Sequence, residues 1–199
     1  MRRMGVSRRL YMLCVVGLAL MTGSVFAADT YELDPTHAAI EFKVAHLVIS
    51  KVSGNFNSFT AALRVDDDGR LESAESIIQV SSIDSGVERR DNHLRAADFF
   101  DAETYPEISF KSTSVEKKDG KDVLIGDLTI RGITKKVEFP FTLLGPIQDP
   151  WGNTRVGFEA ETTINRTDFG LTWNSTLETG GVVVGEDVEI SINLEANKQ

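Results

Sequence analysis

Apolar and polar side chains alternate along most of the chain after residue 30, with a period of two residues. In one run, Val188, Ile190 and Ile192 are separated by single polar residues. The clearest runs cover residues 40–44, 59–65, 137–143, 156–164 and 188–194, and shorter ones lie near 76–83, 107–115 and 122–131. A period of two places successive side chains on opposite faces of a β-strand. The pattern therefore predicts about eight strands, each with one apolar and one polar face.

Turn-forming residues separate these runs, with aspartate and glycine at 66–69, 118–120 and 149–153. Eight amphipathic antiparallel strands can stack as two sheets or close into a barrel. Closure hides both the apolar faces and the strand edges, so we expect an all-β fold, an antiparallel eight-stranded β-barrel. Pro140 cannot donate a hydrogen bond to a strand ladder, so its strand is expected to be an edge strand or to carry a bulge there.

One stretch, residues 88–100, lacks this alternation and predicts a short helix that caps or flanks an end of the barrel. Ser85 and Glu88 match a capping box, in which Ser85 caps the first amides of the helix and Glu88 reaches back. Pro106 stops any continuation. The sequence contains no internal repeat and no linker, so we expect one domain over residues 28–199.

Residues 1–27 have the pattern of a cleavable signal peptide. Four arginines lie within the first nine residues, an apolar run from Leu10 to about Leu20 follows, and small residues lead up to Ala27. The run is shorter than the about 20 apolar residues that a membrane-spanning helix needs. We therefore expect export to the periplasm and cleavage before Ala28. Residues 7–12 also resemble a twin-arginine export box, so general secretion and twin-arginine export both remain open.

The charge balance is acidic, with 30 Asp and Glu against 21 Lys and Arg in 199 residues. Removing the signal takes away four arginines and leaves a net charge of about −13. This balance argues against nucleic acid as a partner and against electrostatic docking on an anionic bilayer. A transient membrane contact and a homodimer remain open. The one cysteine, Cys14, lies in the predicted signal, and a chain without thiols suits an oxidising compartment.

The sequence contains no recognisable catalytic constellation, so we expect a binding protein and not an enzyme. His37 and His46 lie nine residues apart on or near one strand, which places them on opposite faces if no bulge intervenes. His93 has no carboxylate at ligand spacing, so no metal site is predicted. A Gly-x-Ser-x-Gly motif is absent, and the glycine-rich residues 180–185 precede a strand and not a phosphate-binding helix. No cofactor is expected.

Several short segments recur in one order along the chain: Asp34, Pro35, Thr36 and His37 with His46; residues 50–56; 82–85; 90–95 with 98–101; 105–110; 126–132; and 165–170. Together they resemble the YceI family of lipocalin-like, polyisoprenoid-binding proteins, over about residues 31–195. One departure is Thr36-His37, where the family commonly has a His-Ser pair. The resemblance implies an exported lipocalin-like barrel that encloses an apolar pore for a long isoprenoid chain, of a polyprenyl or an isoprenoid quinone-like lipid.

The expected binding residues lie inside this barrel and at its mouth. The residues expected to line the interior and contact the lipid are Ile40, Phe42, Val44, Phe59, Leu63, Phe110, Leu128, Ile130, Phe139, Phe141, Phe158 and Ile190. Arg90, His93 and Arg166 are the candidates for contact with a polar head group. The function expected from these residues is periplasmic carriage, storage or buffering of an isoprenoid lipid.

Two alternatives to this interpretation remain open from the residues alone. The aromatic side chains could fill the barrel as a dry core, and Asp91 or Asp98 could pair with Arg166 to hold the helix across the barrel end. The corresponding functions are a periplasmic scavenger of other amphiphilic small molecules, related to envelope stress, or a filled-barrel protein-interaction module. The sequence does not distinguish between individual lipids or identify a delivery partner.

Overall fold

The computed structural model describes residues 28–176 and 181–199, so the predicted signal peptide lies outside the described residues. Its elements are β1 Asp29–His46, β2 Ser50–Phe56, β3 Phe59–Val65, β4 Leu71–Gln79, β5 Ile83–Asp84, α1 Glu88–Arg95, β6 Glu107–Lys118, β7 Lys121–Ile130, β8 Ile133–Gln148, β9 Thr154–Asn165 and β10 Val184–Lys198. Two short 3₁₀ helices cover Val80–Ser82 and Arg166–Phe169. No helix in the described ranges has the length and apolar character that crossing a bilayer requires.

The strands form one closed antiparallel sheet. The first and last strands complete the ring, because β1 pairs with β10 from Tyr31 opposite Lys198 to His46 opposite Val184. On its other side β1 pairs with β3 through its first residues and with β2 through its last. The strands β2 and β3 therefore share one position in the ring, as do β4 and β5, which gives eight positions. The expected eight-stranded barrel is confirmed.

Burial follows the alternation that predicted the strands. In β9, Val156, Phe158 and Ala160 are buried, whereas Glu159 and Glu161 are exposed. Pro140 lies just before the β8–β9 ladder, which begins at Phe141. The strand β8 pairs with β7 on one side and with β9 on the other, and its irregularity lies between Leu144 and Ile147, so the prediction of an edge strand or of a bulge at Pro140 is wrong. The proline is tolerated because its position precedes the β8–β9 ladder.

The helix α1 is shorter than predicted, and the predicted capping box is wrong. Val87 occupies the N-cap position and its side chain forms no capping hydrogen bond. Ser85 instead donates from its backbone N–H (2.9 Å) and its hydroxyl to the buried carboxylate of Asp91. After Arg95 the backbone turns away, with the Phe100 N–H donating to the carbonyl of Leu94. The loop before the helix is thus tied to a side chain of the first helical turn and not to the first amides.

The two ends of the barrel differ. One end, here called the helix end, carries α1, the β1–β2 hairpin and the segment between β9 and β10. The other, here called the far end, carries the β3–β4, β6–β7 and β8–β9 turns. At the far end Arg155 lies 2.8 Å from Asp34, 2.8 Å from Asp149 and 3.2 Å from Glu195. This guanidinium joins β1, the β8–β9 turn and β10.

Candidate functional site

A cavity of about 320 Å³ occupies the barrel interior toward the helix end. Its wall is built mainly from apolar side chains on the inward faces of the strands. The small side chains of Ala61 and Ala74 form part of this wall. A volume of this size lies at the lower end of the about 300–1,000 Å³ that small-molecule pockets span. The interior is therefore partly hollow.

The far end of the interior is packed. Tyr31, Val65, Leu71, Val156 and Ala196 are each at most 5% exposed and do not contribute to the cavity wall. The alternative of a dry core thus describes one end of the barrel and not the other. The cavity is a blind pocket with a closed floor toward the far end.

Ten of the twelve residues expected to line the interior contribute to the cavity wall: Ile40, Phe42, Val44, Leu63, Phe110, Leu128, Ile130, Phe139, Phe158 and Ile190. The other two, Phe59 and Phe141, lie outside this wall. Phe59 begins β3, beside the interruption after β2, and lines a separate pocket whose walls mix apolar and charged residues. Phe141 lies nearer the far end, where its ring stacks on Phe158 with centroids 5.4 Å apart.

Aromatic residues near α1 complete the wall at the helix end. Trp173 lies edge-on to His93, with ring centroids 4.8 Å apart, and 5.7 Å from the ring of Phe99. Phe100 meets Phe56 edge-on at 6.2 Å. The strand pattern could not identify Trp173, because it lies in a segment between β9 and β10 that has no alternation. Its proximity in sequence to Arg166 was the available signal.

Arg166 is a buried cation on the cavity wall, only 3% exposed. Its guanidinium donates to the backbone carbonyls of Gly185 (2.7 Å), Trp173 (3.0 Å) and Val184 (3.3 Å), and also to that of Leu171. These bonds hold the segment after β9 against the start of β10. Burial lowers the pKa of the guanidinium, because it disfavours the charged form, and Glu186 partly opposes this.

The predicted pairing of Arg166 with Asp91 or Asp98 is wrong. Asp91 accepts from Ser85, and the Asp98 carboxylate lies 2.9 Å from Nε2 of His93. Within residues 28–176 and 181–199, no carboxylate forms an ion pair with Arg166. Its charge is instead spread over carbonyl dipoles and lies 6.0 Å from the Phe99 ring centroid.

The structure brings the three predicted head-group candidates together at the helix end. Arg90, His93 and Arg166 all contribute to the cavity wall. Arg90 is held by Ser85, donating from Nε to the hydroxyl (2.7 Å) and from Nη2 to the carbonyl (2.8 Å). His93 is held by Asp98 and by its aromatic neighbours. The cavity is thus mainly apolar and carries two arginines and a histidine at one end, which suits an amphiphile with a polar or anionic head.

The far end holds the one close group of three candidate metal ligands among the described residues, formed by Asp34, His37 and Glu195. Arg155 already supplies positive charge to two of its carboxylates. Hydrogen bonds from Thr36, and then from His37 and Arg155, hold the pKa of Asp34 well below its usual range. This arrangement is that of a structural ion-pair network.

Comparisons with known proteins agree with this architecture. Residues 31–196 match the YceI-like domain. A UPF0312 protein of Pectobacterium carotovorum subsp. carotovorum is 37% identical over 199 residues, which cover 98% of this chain and 99% of the relative. The Campylobacter jejuni YCEI protein is a structural neighbour with a TM-score of 0.67 and 31% identity, covering 79% of this chain and 91% of its own.

A polyisoprenoid binding domain from Saccharophagus degradans, implicated in plant cell wall breakdown, has the same fold. Its TM-score is 0.62 at 14% identity, over 85% of this chain and 98% of that domain. The match to the family domain covers most of the chain, and the barrel with its single described helix is the architecture of these neighbours. The chain belongs to the YceI-like family.

Proposed function

We propose that this chain binds an isoprenoid lipid in the barrel cavity and carries, stores or buffers it in the periplasm. The observation that supports this most directly is the cavity itself, with apolar walls in depth and Arg90, His93 and Arg166 gathered at one end. The Saccharophagus degradans neighbour is a polyisoprenoid binding domain, which supports the same ligand class through a shared fold. No catalytic arrangement is needed for this role, and we propose a binding protein and not an enzyme.

The orientation of the ligand follows from the polarity of the wall. The wall of the cavity is mainly apolar, with Leu63, Leu124 and Phe139 on its far-end side, and a buried polar group without a hydrogen-bond partner is costly, at about 1–3 kcal/mol. The head group of a bound lipid therefore lies at the helix end, beside Arg90 and His93, and the branched tail points toward Leu124 and Phe139. Arg166 contributes mainly through its charge, because four carbonyls already engage its N–H groups.

The energetics favour exchange over permanent capture. Each buried methylene contributes about 0.8 kcal/mol relative to water. The alternative environment of such a lipid is a bilayer, which is equally apolar, so most of this gain cancels when lipid moves between membrane and protein. A carrier or a buffer needs the free energy of the lipid to be nearly the same in the protein and in the membrane. Selectivity then rests on the methyl-branched shape of the tail and on the polar groups at the helix end.

Organic extraction of the protein, purified from the periplasm of its native host, tests this proposal. We expect mass spectrometry to find a prenyl lipid enriched over a control protein prepared in the same way. The full-length chain should yield the exported form beginning near Ala28, which the intact mass of the same sample measures. An extract without prenyl lipid, together with failure to take up added prenyl alcohol, would contradict the proposal.

A scavenger of other amphiphilic small molecules is the second candidate, favoured by the modest cavity volume of about 320 Å³. Competition separates the two functions. If short amphiphiles displace a bound prenyl alcohol at equal concentration, the scavenger is supported. If they displace it only in large excess, the isoprenoid carrier is supported. The filled-barrel interaction module receives no support from a hollow interior.

A further inference from the structure

The β1–β2 hairpin carries an exposed apolar tip, formed by residues 47–49 between His46 and Ser50. Val48 is 80% exposed and Ile49 is 84% exposed. Exposed apolar residues are ordinary when scattered, but here two β-branched side chains are adjacent at the end of a hairpin. This hairpin tip is the feature from which the inference starts.

The backbone conformation of the hairpin tip is one that leucine and valine rarely adopt. Leu47 and Val48 have φ values of 53° and 63°, positive at both central positions as in a type I′ turn, for which Asn-Gly is strongly preferred. A β-branched residue with positive φ is a strained outlier. The conformation is held by the N–H of Ile49, which donates to His46, and that of Leu47, which donates to Val183. A turn with only a structural role would be better served by Asn-Gly, so the apolar side chains point to a role outside the fold.

The hairpin tip adjoins the wall of the cavity. Ala45, His46 and Val52, which flank it, contribute to the cavity wall, and so does Val183, whose carbonyl accepts from Leu47. Val182, the next residue along that segment, is 39% exposed. An exposed apolar surface and the wall of an apolar cavity therefore adjoin each other at the helix end.

The small size of this apolar surface favours a bilayer over a protein as its partner. Stable protein interfaces bury about 800 Å² on each side, far more than two side chains provide, whereas a bilayer surface accepts a small apolar projection. The flanking charges Lys51 and Glu189 pair with each other at 2.5 Å, so these two residues leave no net charge beside the tip. We propose that the hairpin tip inserts into the surface of a bilayer while lipid passes between the bilayer and the cavity. This inference rests on the proposed function.

The test compares two double variants in the transfer of a four-unit prenyl alcohol between phosphatidylcholine vesicles. In V48G/I49S the glycine also relieves the positive φ, so folding is retained. The matched control L144S/I147S removes two apolar side chains at the far end, 51% and 63% exposed. We expect transfer to slow about tenfold or more in the tip variant, because less apolar surface enters the bilayer. We expect the control to stay within about twofold of the unchanged protein, and anionic lipid to give no acceleration.

Affinity for the same alcohol in vesicle-free solution keeps the two proposals distinguishable. Equal affinity of the unchanged protein and the tip variant, with slower transfer only in the variant, supports the inference. Equal transfer rates for all three proteins would overturn it while leaving lipid binding intact, and so would a loss of solution affinity in the tip variant. If the unchanged protein binds no prenyl alcohol, the proposed function fails. In that case, flotation of lipid-free protein with vesicles tests the membrane contact by itself. The inference is overturned if the tip variant floats with the vesicles to the same extent as the unchanged protein.

Discussion

A phenylalanine at position 74 tests whether the barrel interior is hollow. Ala74 lies on the inward face of β4, is 7% exposed and contributes to the cavity wall. Ala196 on β10 is 2% exposed and lies in the packed far end, outside that wall. The same substitution at the two positions therefore adds one aromatic ring to a cavity and one to a filled core.

The two substitutions are expected to change the free energy of unfolding in opposite directions. In the packed core, the added ring in A196F is expected to lower the free energy of unfolding by about 1–3 kcal/mol or more. In A74F the ring enters a space of about 320 Å³, and burial of its apolar surface raises the free energy of unfolding by zero to about 2 kcal/mol. The ring also occupies space that a tail would fill. Displacing two methylenes costs about 1.6 kcal/mol, so prenyl affinity should fall by at least about tenfold.

Urea unfolding followed by circular dichroism measures both free energies, and equal slopes against urea concentration show that the comparison is valid. Binding of a prenyl alcohol is measured on the same samples. If A74F loses as much stability as A196F, the cavity has no room for a ring and the reasoning is refuted. It is also refuted if A74F is stable and binds prenyl alcohol with undiminished affinity.

Two further substitutions test the far end and the cavity wall. In R155M, Asp34 and Asp149 lose their cation, and the pKa values of both carboxyls should rise toward the usual range. Both pKa values are lowered in the folded protein: hydrogen bonds from Thr36, His37 and Arg155 lower that of Asp34, and hydrogen bonds at Asp149 outweigh the opposing effect of burial there. Their stabilisation is therefore present above about pH 4 and lost as the pH falls below it. Urea titrations should show that the difference in free energy of unfolding between R155M and the unchanged protein becomes smaller below pH 4. A difference that is independent of pH would contradict a stabilising role of the Arg155 ion pairs. In G126A the new Cβ lies 2.5 Å from Cζ of Phe110. We expect about 1–3 kcal/mol lower stability and, because Phe110 belongs to the cavity wall, weaker prenyl binding; a stable variant with full affinity would show that the wall adjusts freely.

The barrel could be predicted from the sequence because a two-residue period directly encodes which side chains share a face. Ten of twelve predicted interior residues line the cavity for this reason. Phe59 is an exception because it is the first residue of β3, at the very end of the alternating run, where it lines a different pocket. Phe141 is another, since alternation fixes the face of a residue but not its depth along the barrel.

The helix end could not be predicted in the same way. Its contacts join segments far apart in sequence, such as Arg166 with the carbonyl of Gly185 and Trp173 with His93. An arginine beside acidic residues suggested a carboxylate partner, whereas carbonyl groups of the following segment bind it. Side-chain pattern gives no information about backbone acceptors, so both the role of Arg166 and the position of Trp173 required coordinates.

Tryptophan fluorescence provides the most direct measurement of lipid binding in the cavity. The chain has two tryptophans: Trp151 is 81% exposed in the β8–β9 turn, and Trp173 lies on the cavity wall. The W151F variant therefore reports on Trp173 alone. We expect titration with geranylgeraniol to change its emission saturably, and an unbranched alcohol of the same carbon number to bind more weakly. No saturable change with geranylgeraniol, or equal affinity for the two alcohols, would contradict isoprenoid binding in this cavity.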